Sequence, residues 1–338
     1  MRGRGIRATA RGAGPAVVVA AVLAGMQLLA GCIRQPSRLQ VPVSGWPAYE
    51  YFYLAENSGL DRPEGLAIRS IQLPDPQAVI NAFARGQFHV AQLSAAEVID
   101  LCNRVPERCP VVVLVLDASE GGDQLAVHNS VPSIAALKGR RVAVTFSTLG
   151  PFILHLALER HGLRLSDVQT QHLPLERMEA ALAKGEVQAA ATYPPFSEAI
   201  RAAGHSRMLF NSRETPGEIL DLLVVDRQFL HQHPQQVSAL VRVWEQAQRH
   251  ARANPDTSVS QMARREGISV EAFREAERGL RYFGLQEQLE LLNPGGAVER
   301  NLRRVQMALQ ELGVSPAAGV RPTVSAAPVQ AALQQPAP

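Results

Sequence analysis

The sequence predicts an α/β protein built as a clamshell of two similar lobes, each a doubly wound sheet flanked by helices. Two observations carry the prediction. First, Ala82-Phe83-Ala84-Arg85-Gly86-Gln87-Phe88-His89-Val90-Ala91 is echoed about a hundred residues later by Ala181-Leu182-Ala183-Lys184-Gly185-Glu186-Val187-Gln188-Ala189-Ala190, and Leu73-Pro74 is matched by Leu173-Pro174. Each copy reads as an amphipathic helix, a glycine that ends it in a left-handed turn, and a short apolar strand. Second, strand and helix patterns alternate from Pro42 to Val225. Such alternation builds parallel sheets covered by helices, with ligand sites at the carboxyl ends of the strands.

In chain order, residues 32–40 read as a polar tether, and Pro42 to Trp46 as a strand running into a loop. Tyr51 to Ser58 suits a helix stopped by Gly59. Leu66 to Leu73 alternates as a strand, the first repeat copy follows, and Ala95 to Leu101 is a helix. Val111 to Leu116 is a strand apolar on both faces. Leu125 to His128 is a further strand, and Ile134 to Gly139 a short helix with a glycine stop. Arg141 to Thr145 is a strand leading through Phe146-Ser147-Thr148-Leu149-Gly150 to a helix beginning near Pro151 and ending at Gly162. The second copy runs on to Tyr193-Pro194, and Ile219 to Val225 is a strand leading back out. Helices are expected at Pro234 to Asn254, Ser258 to Glu266, Val270 to Leu280 and Ala297 to Leu312. Residues 314–338, rich in Ala, Pro, Gln and Val, read as a flexible tail.

The N-terminus gives the chain an address. Arg2, Arg4, Arg7 and Arg11 precede an apolar run from Ala13 to Ala30, the pattern of an export signal. The run closes on Leu29-Ala30-Gly31-Cys32, which resembles the bacterial lipobox and implies a signal peptide at 1–31 and a lipidated Cys32. Ile33, in place of an acid, favours the outer membrane in a Gram-negative cell. Removing the signal turns the formal charge of +3 into −1, so nucleic-acid binding has no support. With Cys32 on lipid, Cys102 and Cys109 remain, a short-range pair around a proline that suggests a structural disulfide in an oxidising compartment. No further ligands are spaced beside them for a metal.

Trp46-Pro47-Ala48-Tyr49-Glu50, Tyr53-Leu54-Ala55, Gly122 to Val127, Ile134 to Val144 and Gly217 to Val225 together resemble the substrate-binding proteins of ABC importers in the nitrate/sulfonate/taurine class, over about residues 41–290. The resemblance implies a type II periplasmic-binding-protein clamshell crossed twice by the chain. Crossovers are expected near Leu125–Asn129 and Asp221–Asp226, with lobe 1 at 41–125 plus 226–313 and lobe 2 at 126–225. It also implies a monomer with a small-molecule ligand, separate permease and ATPase chains, and no cofactor. Two departures concern the ligand. His89 and Gln188 stand where the family usually carries aspartate, and Tyr193-Pro194-Pro195 replaces Phe-Glu-Pro.

Six residues are candidates for ligand contact. Ser94 and Tyr193 are equivalent in the repeat and fall at carboxyl strand ends; Ser94 equally suits an N-cap, and Tyr193 a core ring. Ser147 and Thr148 precede a helix whose free N–H groups could hold an anion or polar oxygen, or merely form a strand–helix turn. Trp46 and Tyr49 offer flat faces to a small ligand, or to the core. Asp123 and Asp221 are expected to brace the crossovers. The nine histidines are scattered, and His155 and His161 point to different helix faces. Catalysis is therefore not expected, and because the chain lacks a phosphate loop, energy for transport would come from a separate ATPase. The expected function is an extracytoplasmic lipid-anchored solute carrier for an ABC importer. Alternatives are a sensory lipoprotein without a transporter and a pyrimidine-related enzyme on the same fold. A multiply charged anion is disfavoured because no arginine lies in the cleft-forming segments.

Overall fold

The computed structural model describes residues 37–316 and 319–335. The expected signal peptide, lipobox and Cys32 lie outside them. Twelve strands form three sheets among the described residues. In the first, β1 (Ser37–Val43) lies parallel to β2 (Leu66–Gln72), with Leu39 opposite Ile68. The second contains β3 (Val90–Ser94), β4 (Val111–Ser119), β10 (Leu220–Val225), β11 (Leu280–Arg281) and β12 (Thr323–Val324). Its order is β11-β4-β10-β3, with β12 pairing β4. In the third, β5 (Gln124–His128), β6 (Arg141–Val144), β7 (Gln169–His172), β8 (Ala189–Thr192) and β9 (Ser206–Asn211) lie in the order β7-β6-β8-β5-β9.

Both copies of the sequence repeat take the expected form. The helices Pro76–Ala84 and Leu175–Ala183 are followed by Gly86 and Gly185 at φ +74° and +66°, then by β3 and β8. Nothing lies within 4 Å of a Cβ built at Gly185, so the left-handed backbone alone selects glycine there. Asp75 caps the first helix through its bond from Ala78 N (2.7 Å). The Cys102–Cys109 disulfide is present and ties the helix Ala95–Arg104 to the chain entering β4. Between the helix Pro234–Ala253 and the first sheet, Trp244 and Phe52 are fully buried in a tilted ring pair.

Four expectations are corrected. The tether gives way at Ser37 to β1, because β2 offers a parallel partner and buries Leu39, Val41 and Val43. The strand Leu220–Val225 does not close the second lobe; it pairs with β3 and β4 in the middle of the second sheet. Consequently the chain crosses between sheets earlier than expected, through Glu120–Asp123 and again through Ser212–Ile219. Finally, the tail is docked. Thr323–Val324 extends β4 in parallel, and the helix Ala327–Gln334 buries Val329 and Ala332.

The two crossings are laced together. Ser119 and Ser212 share a 2.8 Å hydroxyl contact, Gly121 N donates to Ser212 Oγ (2.7 Å), and Ser212 N donates to Asp123 O (2.8 Å). Glu120 N and Gly122 N both donate to Gly279 O. The backbones approach so closely that a Cβ at Gly279 would fall 2.6 Å from Gly122 N.

Candidate functional site

Carboxyl strand ends from all three sheets converge on one cleft, as the fold class requires. Its inner part is a narrow recess lined by Ser44 and Gly45 after β1, Glu97, Asp123, Asp221 and Tyr193 among others. It opens into a wider hollow whose walls include Pro74 and Pro174, the matched prolines of the repeat. Gly45, Pro76 and Tyr193 border both spaces. Phe146, 62% exposed, stands at the rim with its ring stacked on His172.

Strand register builds the floor. In the second sheet Asp221 lies opposite Ser94 on one side and Asp117 on the other, so three polar residues cross the sheet in one row. Ser94 caps the helix Ala95–Arg104 in a reciprocal box: its Oγ accepts from Glu97 N (3.4 Å), and its N donates to Glu97 Oε2 (2.9 Å). The cap fixes Glu97 beside the row. Asp123, in the first crossing, completes a set of four buried carboxyl groups.

Aromatic groups bind this set. Trp46 Nε1 donates to Asp117 Oδ2 (3.2 Å), and Tyr49 Oη donates to Asp221 Oδ1 (2.5 Å). Tyr193 meets the Trp46 ring edge-on at 5.7 Å. Burial pushes all four acids up from the ordinary carboxylate range. For Asp123 the result is about 7, with the nearby Ser119 hydroxyl pulling it down and Glu97 pushing it up. Asp221 is raised well above its usual value by burial and then by Asp117, against the bond from Tyr49. Asp117 is raised by burial and Asp123, with the Trp46 N–H opposing. Burial likewise raises Glu97, while Ser94 and the Ser147 hydroxyl hold it back.

Of the six candidate residues, Trp46, Tyr49 and Tyr193 line the inner cavity and Ser147 the outer hollow. Thr148 is buried with an unpartnered Oγ1 at the start of the helix Leu149–Glu159. One N–H of that terminus is already taken, since Gly150 N donates to Thr145 Oγ1 (3.1 Å). Ser94 is a cap that acts through Glu97 and does not line the cavity. The departures His89 and Gln188 sit away from the cleft, at the starts of their strands. His89 stacks on Phe229 (4.8 Å), and Gln188 bonds Gly185 O (2.9 Å). They carry no information about the ligand, contrary to expectation. Asp123 braces the first crossing through its backbone and also lines the cavity, and Asp221 lines the cavity from within β10.

Glu97 and Asp117 were missed. Glu97 was legible as the acid of a Ser-x-x-Glu capping box. Asp117 had a fainter signal, an acid closing the apolar run Val111 to Leu116 at the carboxyl end of a strand. Among the described residues no group of three His, Cys, Asp or Glu is arranged to hold a metal ion.

Comparison with known proteins places this geometry. The model of the family described as NMT1/THI5 like matches residues 46–258. The taurine-binding periplasmic protein of Escherichia coli K12 is 25% identical over 250 residues, covering 71% of this chain and 76% of that protein. The alkanesulfonate-binding protein SsuA of Xanthomonas axonopodis pv. citri, solved with MOPS bound, superposes with a TM-score of 0.68 at 17% identity. That match covers 87% of this chain and 98% of SsuA. The desulfurization enzyme DSZB shares the fold at a TM-score of 0.61 and 18% identity, covering 88% of this chain and 99% of the enzyme. The periplasmic-binding-protein fold is thus common to carriers and at least one enzyme.

Proposed function

We propose that this chain, which belongs to the NMT1/THI5-like family, is the extracytoplasmic solute-binding component of an ABC importer, tethered by lipid on Cys32. The observation that carries the reading is the cleft lined by Glu97, Asp123, Asp221 and three aromatic rings at the meeting of strand ends, beside the two laced crossings. A binding protein needs such a site and a hinge next to it. We divide the chain into lobe 1, residues 37–119 plus 220–335, and lobe 2, residues 124–211, following the sheets. Solute would favour the closed arrangement through its contacts to both lobes, and the closed lobes would present a joint surface to permease and ATPase partners. The similarity to a taurine-binding periplasmic protein supports an import role and an extracytoplasmic location. The working unit is a monomer, and it turns over no substrate.

A thermal-shift screen of small organic solutes and oxyanions tests the reading. A solute bound at a hundred times its Kd stabilises the native state by about 2.7 kcal/mol, which raises Tm. We expect at least one solute class to do so without being chemically altered. Chemical conversion of the bound solute, or no stabilisation by any class, overturns it.

The anchor has its own test. Metabolic labelling with palmitate should mark the wild-type protein in the membrane fraction, and Cys32→Ser should lose the label and leave the membrane. A wild-type protein that is unlabelled and soluble defeats the lipid tether.

A further inference from the structure

We propose that the cleft is built for a compact organic cation, a protonated amine or amidine, and not for a sulfonate or other anion. This rests on the solute-binding reading above and names the ligand class of the same cavity.

Charge is the first observation. Glu97, Asp117, Asp123 and Asp221 converge from a helix, two strands and a crossing loop, all buried. Among the described residues none of them is in an ion pair. Elsewhere this fold does give its buried acids arginines: Glu64 has Arg242 (2.6 Å) and Glu50 has Arg265 (2.8 Å). The four acids of the cleft have no such partner, and no arginine, lysine or histidine lines the inner cavity.

Unpartnered acceptors are the second, independent observation. Asp123 is only 1% exposed, lines the cavity, and has no hydrogen-bond partner on either carboxyl oxygen. Glu97 Oε1, also on the cavity wall, has none. Buried acceptors left bare are costly unless a ligand brings N–H groups to them. A protonated nitrogen meets them with charge-assisted hydrogen bonds.

The walls fit as well. Trp46, Tyr49 and Tyr193 supply the ring surfaces that attract cations. The space left among these side chains is small, so the charged group that enters it is compact. Aromatic walls and the lack of a three-ligand metal arrangement among the described residues favour an organic cation over a metal ion. Burial, with mutual repulsion behind it, raises the pKa values of the cluster, so protons would leave as a cation enters.

Calorimetric titration of the purified full-length protein at pH 7 with matched probes tests the proposal. Ethanolamine is set against ethylene glycol, which replaces the ammonium by hydroxyl, and against isethionate, which replaces it by sulfonate. Benzylamine and benzamidine are set against benzyl alcohol and benzenesulfonate. The nitrogen cation of a set should bind about tenfold tighter or better than its counterparts, releasing protons to the buffer. Asp123→Asn should weaken that binding about tenfold while Tm shows the variant folded; Glu97→Gln serves if it is not. Equal or tighter binding of isethionate and benzenesulfonate overturns the proposal and leaves the solute-binding reading intact. The same holds if other solutes stabilise the protein and no nitrogen cation does, or if both variants bind cations unchanged. No stabilisation by any solute overturns both.

Discussion

Asp123 concentrates the site's physical chemistry in one side chain: buried, unpartnered at both oxygens, and facing three more acids. Its raised pKa makes a stability prediction. A carboxyl with an ordinary value near 4 when unfolded and about 7 when folded holds more protons in the folded state between those values. Its favourable contribution is complete below the unfolded value and is lost as pH rises through the folded one. The groups facing it are Glu97, Asp117 and Asp221, with Tyr49 and Tyr193 beside them, and none is basic. Half-buried His155 works in the opposite sense, since its lowered pKa penalises acidification. The Asp123 contribution should therefore decline as pH rises from about 4 to 7, and Asp123→Asn should make the thermal stability of the ligand-free protein fall less over that range. Calorimetric scans across this range decide it; parallel profiles for the two proteins would show Asp123 is not responsible. At this scale the sequence pointed to Trp46, Tyr49 and Tyr193 through residue type and position. It could not show that Asp117 and Asp221 are neighbours, which depends on register between strands about a hundred residues apart.

The elements divide by how local their causes are. The repeated helix-Gly-strand units were legible because periodicity and a left-handed glycine act within about fifteen residues. The strands Gln169–His172 and Ser206–Asn211 were not read as strands, since both are sheet edges with little apolar alternation. The C-terminal segment was misread for a related reason. Its composition suggests disorder, yet Thr323–Val324 needs only the edge of β4, and Val329 and Ala332 need only a groove beside the helix Pro234–Ala253. Ser325 N donating to Val112 O (2.9 Å) and Asn103 Nδ2 donating to Ser315 Oγ (2.7 Å) add to the attachment. Truncation after Val314 should cost roughly 2–4 kcal/mol through lost apolar burial and bare an apolar strand edge that invites aggregation. Urea unfolding of the truncated chain measures it; an unchanged midpoint and slope would mean the segment contributes nothing.

At the scale of the whole molecule, the two crossings decide where the cleft lies. Glu120–Asp123 and Ser212–Ile219 pass between sheets side by side, bonded through Ser119 and Ser212, and Gly279 packs against the first. Placing the crossovers a few residues later, as the family resemblance suggested, puts Asp221 at a hinge. In the fold it is inside a central strand, with its side chain on the cavity wall. The sequence by itself determined the α/β class, the repeated helix-glycine-strand units and the apolar strands, because these follow from short-range periodicity and backbone preference. Tertiary structure alone decided the crossing points, the docking of the last residues, and the assembly of four acids without a base. The reason is that each of these depends on which distant strand supplies the hydrogen-bonding partner, a choice made by the burial of the whole core and not written in any one segment.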